Sequence, residues 1–125
     1  MSALSPKSRI ESFSHACDGL AALVRTQANA RIHLAATIAV TAAGFLCHLQ
    51  PWEWVSIIFA ITIVWTAEAL NTGLECLSAV VTLERTPAIK AAKDIAAGGV
   101  LVAAIGAALV GAIVFLPHVV SAVAS

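Results

Sequence analysis

Three polar side chains stand out in a stretch of the sequence that is otherwise apolar. Glu68, Asn71 and Glu75 follow one another at spacings of three and four residues, with Thr72 beside the asparagine. At about 100° per residue, this spacing places the three side chains on one helical face over two turns. In lipid, an acidic side chain costs about 3 kcal/mol even on lenient insertion scales. Two of them on one face favour a chemical role, with polar contacts between helices as the alternative.

Lys90, Lys93 and Asp94 form a second polar group, and only ten residues separate Leu83 from Lys93. A connection this short keeps the two groups near each other. Together they supply what phosphoryl transfer requires: carboxylates that hold Mg²⁺, a lysine that neutralises phosphate charge, and a carboxylate that accepts a hydroxyl proton. The sequence contains no glycine-rich loop of the Walker type, so a nucleotide site must be built differently.

The composition predicts an integral membrane protein. Hydrophobic residues make up 60% of the 125 residues and charged residues 11%, with a mean hydropathy of +0.94. A soluble domain carries about 25% charged residues, and so few charges cannot cover the surface of a small globule. The net charge is zero, so no basic surface suggests nucleic acid. Cys17, Cys47 and Cys76 have the spacing of neither a disulfide framework nor a zinc site.

Three apolar stretches each reach the roughly 18 residues of a membrane span. Pro51 separates the first two, Thr86 and Pro87 are typical of a helix start before the third, and Pro117 is expected to end it. The third stretch also carries small residues at four-residue spacing, which favours close helix packing in lipid or is simply an Ala/Gly-rich helix. The predicted spans are residues 32–49, 55–83 and 95–116.

Residues 8–28 differ from the rest, because their apolar side chains recur at spacings of three and four and share one helical face. This pattern predicts an amphipathic helix that lies in the membrane interface. Residues 1–125 are then one all-α membrane domain, an interfacial helix followed by three transmembrane helices. The apolar face of the interfacial helix consists of Ile10, Phe13, Cys17, Leu20 and Val24.

The basic residues predict the topology. All of them fall before the first span or between the second and third, and the positive-inside rule assigns these segments to the cytoplasm. We therefore expect a multi-pass protein of a bacterial inner membrane with its N-terminus and the 84–94 loop in the cytoplasm. His48, Glu53 and His118 fall on the outer side, where we expect interfacial surface. The basic residues are Lys7, Arg9, Arg25, Arg31, Arg85, Lys90 and Lys93.

The motif Glu68-Ala-Leu-Asn71-Thr72-Gly-Leu-Glu75, followed by Lys93-Asp94-Ile-Ala-Ala-Gly-Gly, resembles the prokaryotic diacylglycerol kinase family, which includes undecaprenol kinases. The segment Asn29-Ala-Arg31-Ile-His33 also matches and is closer to the undecaprenol kinases. The resemblance covers nearly the whole chain, from about residue 13 to residue 116. It implies a homotrimer of three-span subunits, with active sites between subunits at the cytoplasmic interface.

The resemblance also implies a role for each residue of the two motifs. Glu68 would be the general base that deprotonates the lipid hydroxyl, and Glu75 would bind Mg²⁺. Asn71 would support the catalytic carboxylate and the phosphate geometry. Lys93 and Asp94 would contact the phosphates of ATP. The lipid alcohol is diacylglycerol or undecaprenol, with the Asn29–His33 segment favouring undecaprenol slightly.

Two positions depart from the family pattern. Where the family usually has a second metal-binding glutamate, this chain has Gln27, whose carbonyl oxygen can meet Mg²⁺ but brings no charge, so we expect weaker metal binding. An aspartate usual in the family is Ala79 here. His15 stands where the family tends to place a nucleotide-facing aromatic residue. A catalytically weakened relative that binds nucleotide or lipid is therefore one alternative, and a small proton-coupled transporter that uses a membrane glutamate is another.

Three further residues have open roles. Arg31 and His33 begin the first span, either as anchors of the helix end or as nucleotide contacts. Trp65 lies one turn before Glu68, and we expect it to pack between helices and not to line a substrate groove.

Overall fold

Four α-helices make up the regular structure of the residues that the computed structural model describes, which are 5–81, 84 and 86–125. In chain order they are α1 (Pro6–Thr26), α2 (Ala28–Leu46), α3 (Pro51–Val81) and α4 (Pro87–Ala124). The all-α prediction is confirmed within these residues. Leu83, the predicted end of the second span, and Arg85 lie outside them.

α1 and α4 begin with the same local signal. Each has a proline in its first turn, preceded by a hydroxyl side chain that caps the helix. Ser5 Oγ accepts a hydrogen bond from the N–H of Ser8 at 3.2 Å, and Thr86 Oγ1 accepts one from the N–H of Ile89 at 3.2 Å. Such caps satisfy N–H groups that have no partner within the first turn. The predicted helix start at Thr86 is confirmed.

Arg31 spans the break between α1 and α2. Gln27 has an extended backbone there, with φ −109° and ψ 119°. Arg31 Nη1 donates to the carbonyl oxygens of Val24 at 3.3 Å and Arg25 at 2.9 Å. These carbonyls belong to the last turn of α1 and have no partner within the helix. Arg31 therefore ties α1 to α2, which favours the helix-end role over a nucleotide contact.

α4 continues through Pro117 to Ala124, so the prediction that Pro117 ends this helix is wrong. Because proline has no N–H, one carbonyl of the preceding turn loses its helical partner. Ending the helix at Pro117 would leave its last four carbonyls without helical partners. In an apolar environment the loss of one bond costs less than the loss of four. The predicted span 95–116 lies within this longer helix.

α3 and α4 are, within the described residues, the two helices long and apolar enough to cross a membrane. At 1.5 Å per residue, the 31 residues of α3 extend about 46 Å and the 38 of α4 about 57 Å, against a hydrocarbon core of about 30 Å. α2 is not one of these two, and it ends three residues before the predicted limit of residues 32–49. The first predicted span, residues 32–49, therefore stays a prediction.

Large apolar side chains on all four helices face outward. Phe13, Phe59 and Leu101 are 73%, 64% and 61% exposed, and comparable residues recur along each helix. A soluble monomer rarely exposes so much contiguous apolar surface, so lipid or partner chains must cover it. The apolar residues buried within the chain are Leu23, Ala30, Leu49, Ile57, Val64 and Val114.

α3 lies at the centre of the chain, in contact with each of the other helices. Near the turn between α2 and α3, the ring of Trp54 lies over Gly44 of α2. A Cβ added at Gly44 would lie 2.6 Å from Trp54 Cη2 and 3.1 Å from Leu49 Cδ1. The same ring contacts Phe45 with centroids 4.9 Å apart. The close approach of α2 to α3 at this point therefore depends on the missing side chain of Gly44.

Replacing Gly44 by alanine should lower the free energy of unfolding by about 1–3 kcal/mol, because the added methyl overlaps a rigid ring. The direction of this change distinguishes steric overlap from helix propensity, because alanine in place of glycine inside a helix ordinarily raises the free energy of unfolding by about 1 kcal/mol. Thermal unfolding in detergent, followed by circular dichroism, measures the change. Gly19→Ala is the matched control, because a Cβ at Gly19 has no atom within 4 Å. Equal stability of the two variants would contradict the packing described.

The far end of the α3–α4 pair holds a buried glutamate, so the expectation that Glu53 and His118 are surface residues is wrong. Glu53 is 6% exposed. Its Oε2 accepts a hydrogen bond from the N–H of Gln50 at 2.7 Å, and its Oε1 lies 2.9 Å from His118 Nε2. Glu53 thus caps α3 and holds the extension of α4 beyond Pro117. His48 is exposed, as expected.

Candidate functional site

Glu68, Asn71 and Thr72 lie together on the buried face of α3. They are 2%, 9% and 8% exposed, and they continue a stripe that includes Ile57 and Val64. Three of their atoms have no hydrogen-bond partner among the described residues: Glu68 Oε2, Asn71 Oδ1 and Thr72 Oγ1. Buried polar atoms are nearly always paired in folded proteins. Three unpaired oxygens within two helical turns indicate a site that receives its partners from a ligand or a neighbouring subunit.

His33 of α2 brings a second ionisable group close to Glu68. Its Nε2 lies 3.7 Å from Glu68 Oε2, which is beyond hydrogen-bond distance but close enough for an ion pair when the imidazole is protonated. The sequence places His33 near the start of the first span without relating it to Glu68. Its position four residues before the half-buried Thr37 is no signal of that contact, which arises only because α2 packs on α3.

Glu75, the third member of the motif, lies in a different environment. It is half-buried and lines an open groove of about 640 Å³ together with Lys90, Lys93 and Asp94 of α4. The groove lies between the cytoplasmic end predicted for α3 and the first turns of α4. Pockets that bind small molecules typically have volumes of about 300–1,000 Å³. The expectation that the two polar groups of the sequence lie near each other is confirmed for Glu75 and the lysines.

Within this groove Lys90 forms an ion pair with Asp94, one turn further along α4, at 2.5 Å. The hydrogen bond from Lys90 to Asp94 raises the pKa of the lysine, which lies before the apolar part of α4. Both side chains are exposed, at 77% and 63%. Asp94 is thus occupied by Lys90, while Lys93 makes no ion pair among the described residues. Lys93 is the cation that remains available to a phosphate.

Two side chains predicted to contact nucleotide or metal lie on or beside α1. Gln27, between α1 and α2, donates from Nε2 to Thr26 Oγ1 at 3.3 Å. The side-chain carbonyl oxygen of Gln27 takes no part in this hydrogen bond. His15 is exposed in the middle of α1 and, within the described part of the chain, forms no hydrogen bond or ion pair. Among the residues that the structure describes, no hydrogen bond or ion pair joins either residue to Glu75.

Trp65 and Thr37 join α3 to α2 beside the buried cluster. Trp65 Nε1 donates to Thr37 Oγ1 at 3.0 Å, which confirms the packing role expected for the tryptophan. The indole also lines an apolar groove between α2, α3 and α4, together with His33, Val64, Ala107 and Gly111. The further expectation that Trp65 does not line a substrate groove stays untested, although the indole does line this apolar groove.

A divalent cation would find a partial set of ligands here. Among the described residues, no three His, Cys, Asp or Glu side chains come close enough to hold a metal ion. Mg²⁺, however, is usually bound through one or two carboxylates and the phosphates of its substrate. The Glu75 carboxylate and the unpaired Asn71 Oδ1, one turn away, fit that mode. They would hold an ion that arrives with a nucleotide.

Comparison with known proteins gives a consistent result over most of the chain. The model of the family described as prokaryotic diacylglycerol kinase matches residues 14–115. The chain belongs to this family. It is therefore a membrane protein and a lipid kinase, as the motifs around Glu68 and Lys93 predict, and the family implies ATP and a lipid as substrates. This membership sets aside the alternative of a proton-coupled transporter.

Two curated relatives carry different names. The chain is similar to undecaprenol kinase of Bacillus subtilis (strain 168), with 40% identity over 107 residues, covering 86% of this chain and 87% of the relative. It is also similar to diacylglycerol kinase of Synechocystis sp. (strain ATCC 27184 / PCC 6803 / Kazusa), with 38% identity over 111 residues. That match covers 88% of this chain but 63% of the Synechocystis kinase. The two names leave the lipid acceptor of this chain open.

Proposed function

We propose that this lipid kinase transfers the γ-phosphoryl group of ATP to the hydroxyl of a membrane lipid alcohol, diacylglycerol or undecaprenol, at the cytoplasmic membrane interface. The buried Glu68 carries the proposal. Its carboxylate has an unpaired oxygen. Glu68 lies on α3, the same helix as Glu75, which lines the groove together with Lys90 and Lys93 of α4. A buried base thus lies about two turns from an open groove that contains two lysines.

In the proposed reaction, Glu68 takes the proton of the lipid hydroxyl as the alcohol oxygen attacks the γ-phosphorus. A new oxygen–phosphorus bond forms, the bond to the β-phosphate oxygen breaks, and ADP leaves. Lys93 neutralises charge on the phosphates, and Asn71 orients the reacting groups from its place between Glu68 and Glu75. Glu75, assisted by the Gln27 carbonyl oxygen, would hold Mg²⁺, which would supply positive charge beside the phosphates.

The location of Glu68 suits a reaction between a lipid and a water-soluble nucleotide. Glu68 and Glu75 are seven residues apart, or about 10 Å along the helix axis. The lipid alcohol would approach from the membrane to the buried oxygen, and ATP would enter the open groove. Exclusion of water from Glu68 also protects the transferring phosphoryl group from hydrolysis.

The proposal includes the membrane arrangement and the assembly. The N-terminus and the 84–94 loop would face the cytoplasm of a bacterial cell, with α1 in the interface and the three predicted spans crossing the inner membrane. A homotrimer would complete the site, because the unpaired oxygens of Asn71 and Thr72 and the position of His15 call for groups from outside this chain.

Phosphate transfer from labelled ATP tests the proposal directly. Purified full-length protein in mixed micelles with Mg²⁺ would be offered diacylglycerol and undecaprenol separately, and lipid phosphate would be counted after extraction. We expect transfer to at least one of the two lipids. Transfer to neither lipid, with Mg-ATP still bound, would favour the weakened relative that Gln27 and Ala79 suggest, since Ala79 lines the same groove as Glu75.

A further inference from the structure

One end of the apolar groove between α2, α3 and α4 lies beside Glu68, the proposed base. Val64 lines it and is followed one turn later by Glu68 on the same buried face. His33 lies at the same end, with its Nε2 3.7 Å from the unpaired oxygen of Glu68. From there the groove follows α4 from Ala104 to Gly111, a length of about 10 Å. A molecule in this groove would therefore have one end beside the proposed base.

The size of the apolar groove suits one hydrocarbon chain. Its volume is about 280 Å³. An apolar cavity of about 150 Å³ holds the six carbons of benzene, so this groove has room for roughly ten carbon atoms. Small residues create the space on α4, where Ala104, Ala107 and Gly111 face α2 and α3. Two parallel chains would not fit.

The hydrogen-bond donors of the groove are already engaged. Trp65 Nε1 donates to Thr37 Oγ1 at 3.0 Å, and the Thr37 hydroxyl donates to the carbonyl of His33 at 2.7 Å. Of the polar side chains that line the groove in the described part of the chain, the His33 ring is the one left at the end near Glu68. A glyceride carries ester carbonyls next to its hydroxyl, and burial here would leave them without donors, which is unfavourable. A prenyl alcohol is hydrocarbon up to the carbon that bears the hydroxyl.

The geometry points to this apolar groove as the site for the hydroxyl-bearing end of a single-chain prenyl alcohol, which it selects over a glyceride. The inference rests on the proposed lipid kinase activity and names its acceptor class. The His33 end receives the hydroxyl, and Gly111 keeps the far end open. The occupant is a lipid and not a helix of a second copy, because the groove ends at His33, whose Nε2 lies 3.7 Å from the unpaired Oε2 of Glu68, and an apolar helix would bring no polar group to that end.

The first test needs no turnover, so it is independent of the proposed activity. A farnesol analogue that carries a diazirine would be photolysed with the full-length protein in micelles, and the labelled peptides identified. We expect labelling on α2 and α4 along the groove, competed by undecaprenol and not by diacylglycerol. Labelling elsewhere, or equal competition by diacylglycerol, would overturn the inference even if phosphate transfer is observed.

A pair of glycine variants on α4 tests the groove itself. A Cβ at Gly111 or at Gly106 has no atom within 4 Å, so both positions accept the first carbon of a side chain, and of the two only Gly111 lines the groove. Gly111→Leu should reduce both photolabelling and kcat/KM for the prenyl alcohol by about tenfold, with KM for Mg-ATP unchanged. Gly106→Leu should behave as the unsubstituted protein.

Two outcomes would overturn this assignment. The first is unchanged labelling and kinetics in Gly111→Leu. The second is dissociation of the oligomer in Gly111→Leu but not in Gly106→Leu, measured by light scattering, which would make the groove a contact between subunits.

Discussion

Glu68→Gln is expected to lower kcat for phosphate transfer by about 10²–10⁴-fold, because the amide cannot accept the proton of the lipid hydroxyl. Glutamine has nearly the same shape as glutamate, and its amide can occupy the same 2%-exposed position on α3. The KM for Mg-ATP should change little, since the nucleotide groove lies two turns away at Glu75. Initial rates at saturating lipid and ATP measure the effect.

The control for this prediction is Glu53→Gln. Both glutamates are buried on α3, at 2% and 6% exposure, but Glu53 pairs with His118 at the opposite end of the helix. Glu53→Gln should therefore retain kcat. Size-exclusion chromatography of both variants shows whether assembly is preserved. If Glu68→Gln turned over at the rate of Glu53→Gln, Glu68 could not be the base.

Glu75→Gln should affect the metal requirement and not the proton transfer. The carboxylate lines the groove with Lys90 and Lys93, and its loss removes the negative charge that attracts Mg²⁺ there. Removal of even an indirect metal contact costs about 10–100-fold in affinity, so we expect at least that rise in the Mg²⁺ concentration for half-maximal activity. Titration of Mg²⁺ at fixed ATP measures it, and excess Mg²⁺ should restore much of kcat.

The two variants should respond differently to added Mg²⁺. Glu68→Gln should fail at every Mg²⁺ concentration, whereas Glu75→Gln should be rescued. Glu11→Gln, an exposed glutamate on α1 outside the groove, serves as the control for a general loss of negative charge. An unchanged Mg²⁺ dependence in Glu75→Gln would remove this residue from the proposed metal site.

Local patterns in the sequence determined much of this protein. The spacing of Glu68, Asn71 and Glu75 predicts their shared helical face, because helical periodicity depends only on position along the chain. The caps before Pro6 and Pro87 act within one turn, so the start of α4 was predictable from residues 86 and 87. Composition predicted the membrane environment, and the motif around Glu68 was long enough to indicate the family.

Tertiary structure alone decided which distant residues meet. Glu53 and His118 are 65 residues apart, and His33 reaches Glu68 from another helix. The apolar groove exists only because α2, α3 and α4 pack with alanines and Gly111 along it. Such contacts depend on the crossing and register of whole helices, which the periodicity of any one helix does not specify. For the same reason the sequence predicted that Glu53 lies at the surface and that α4 ends at Pro117. In the packed chain Glu53 is buried, and α4 continues through Pro117 to Ala124.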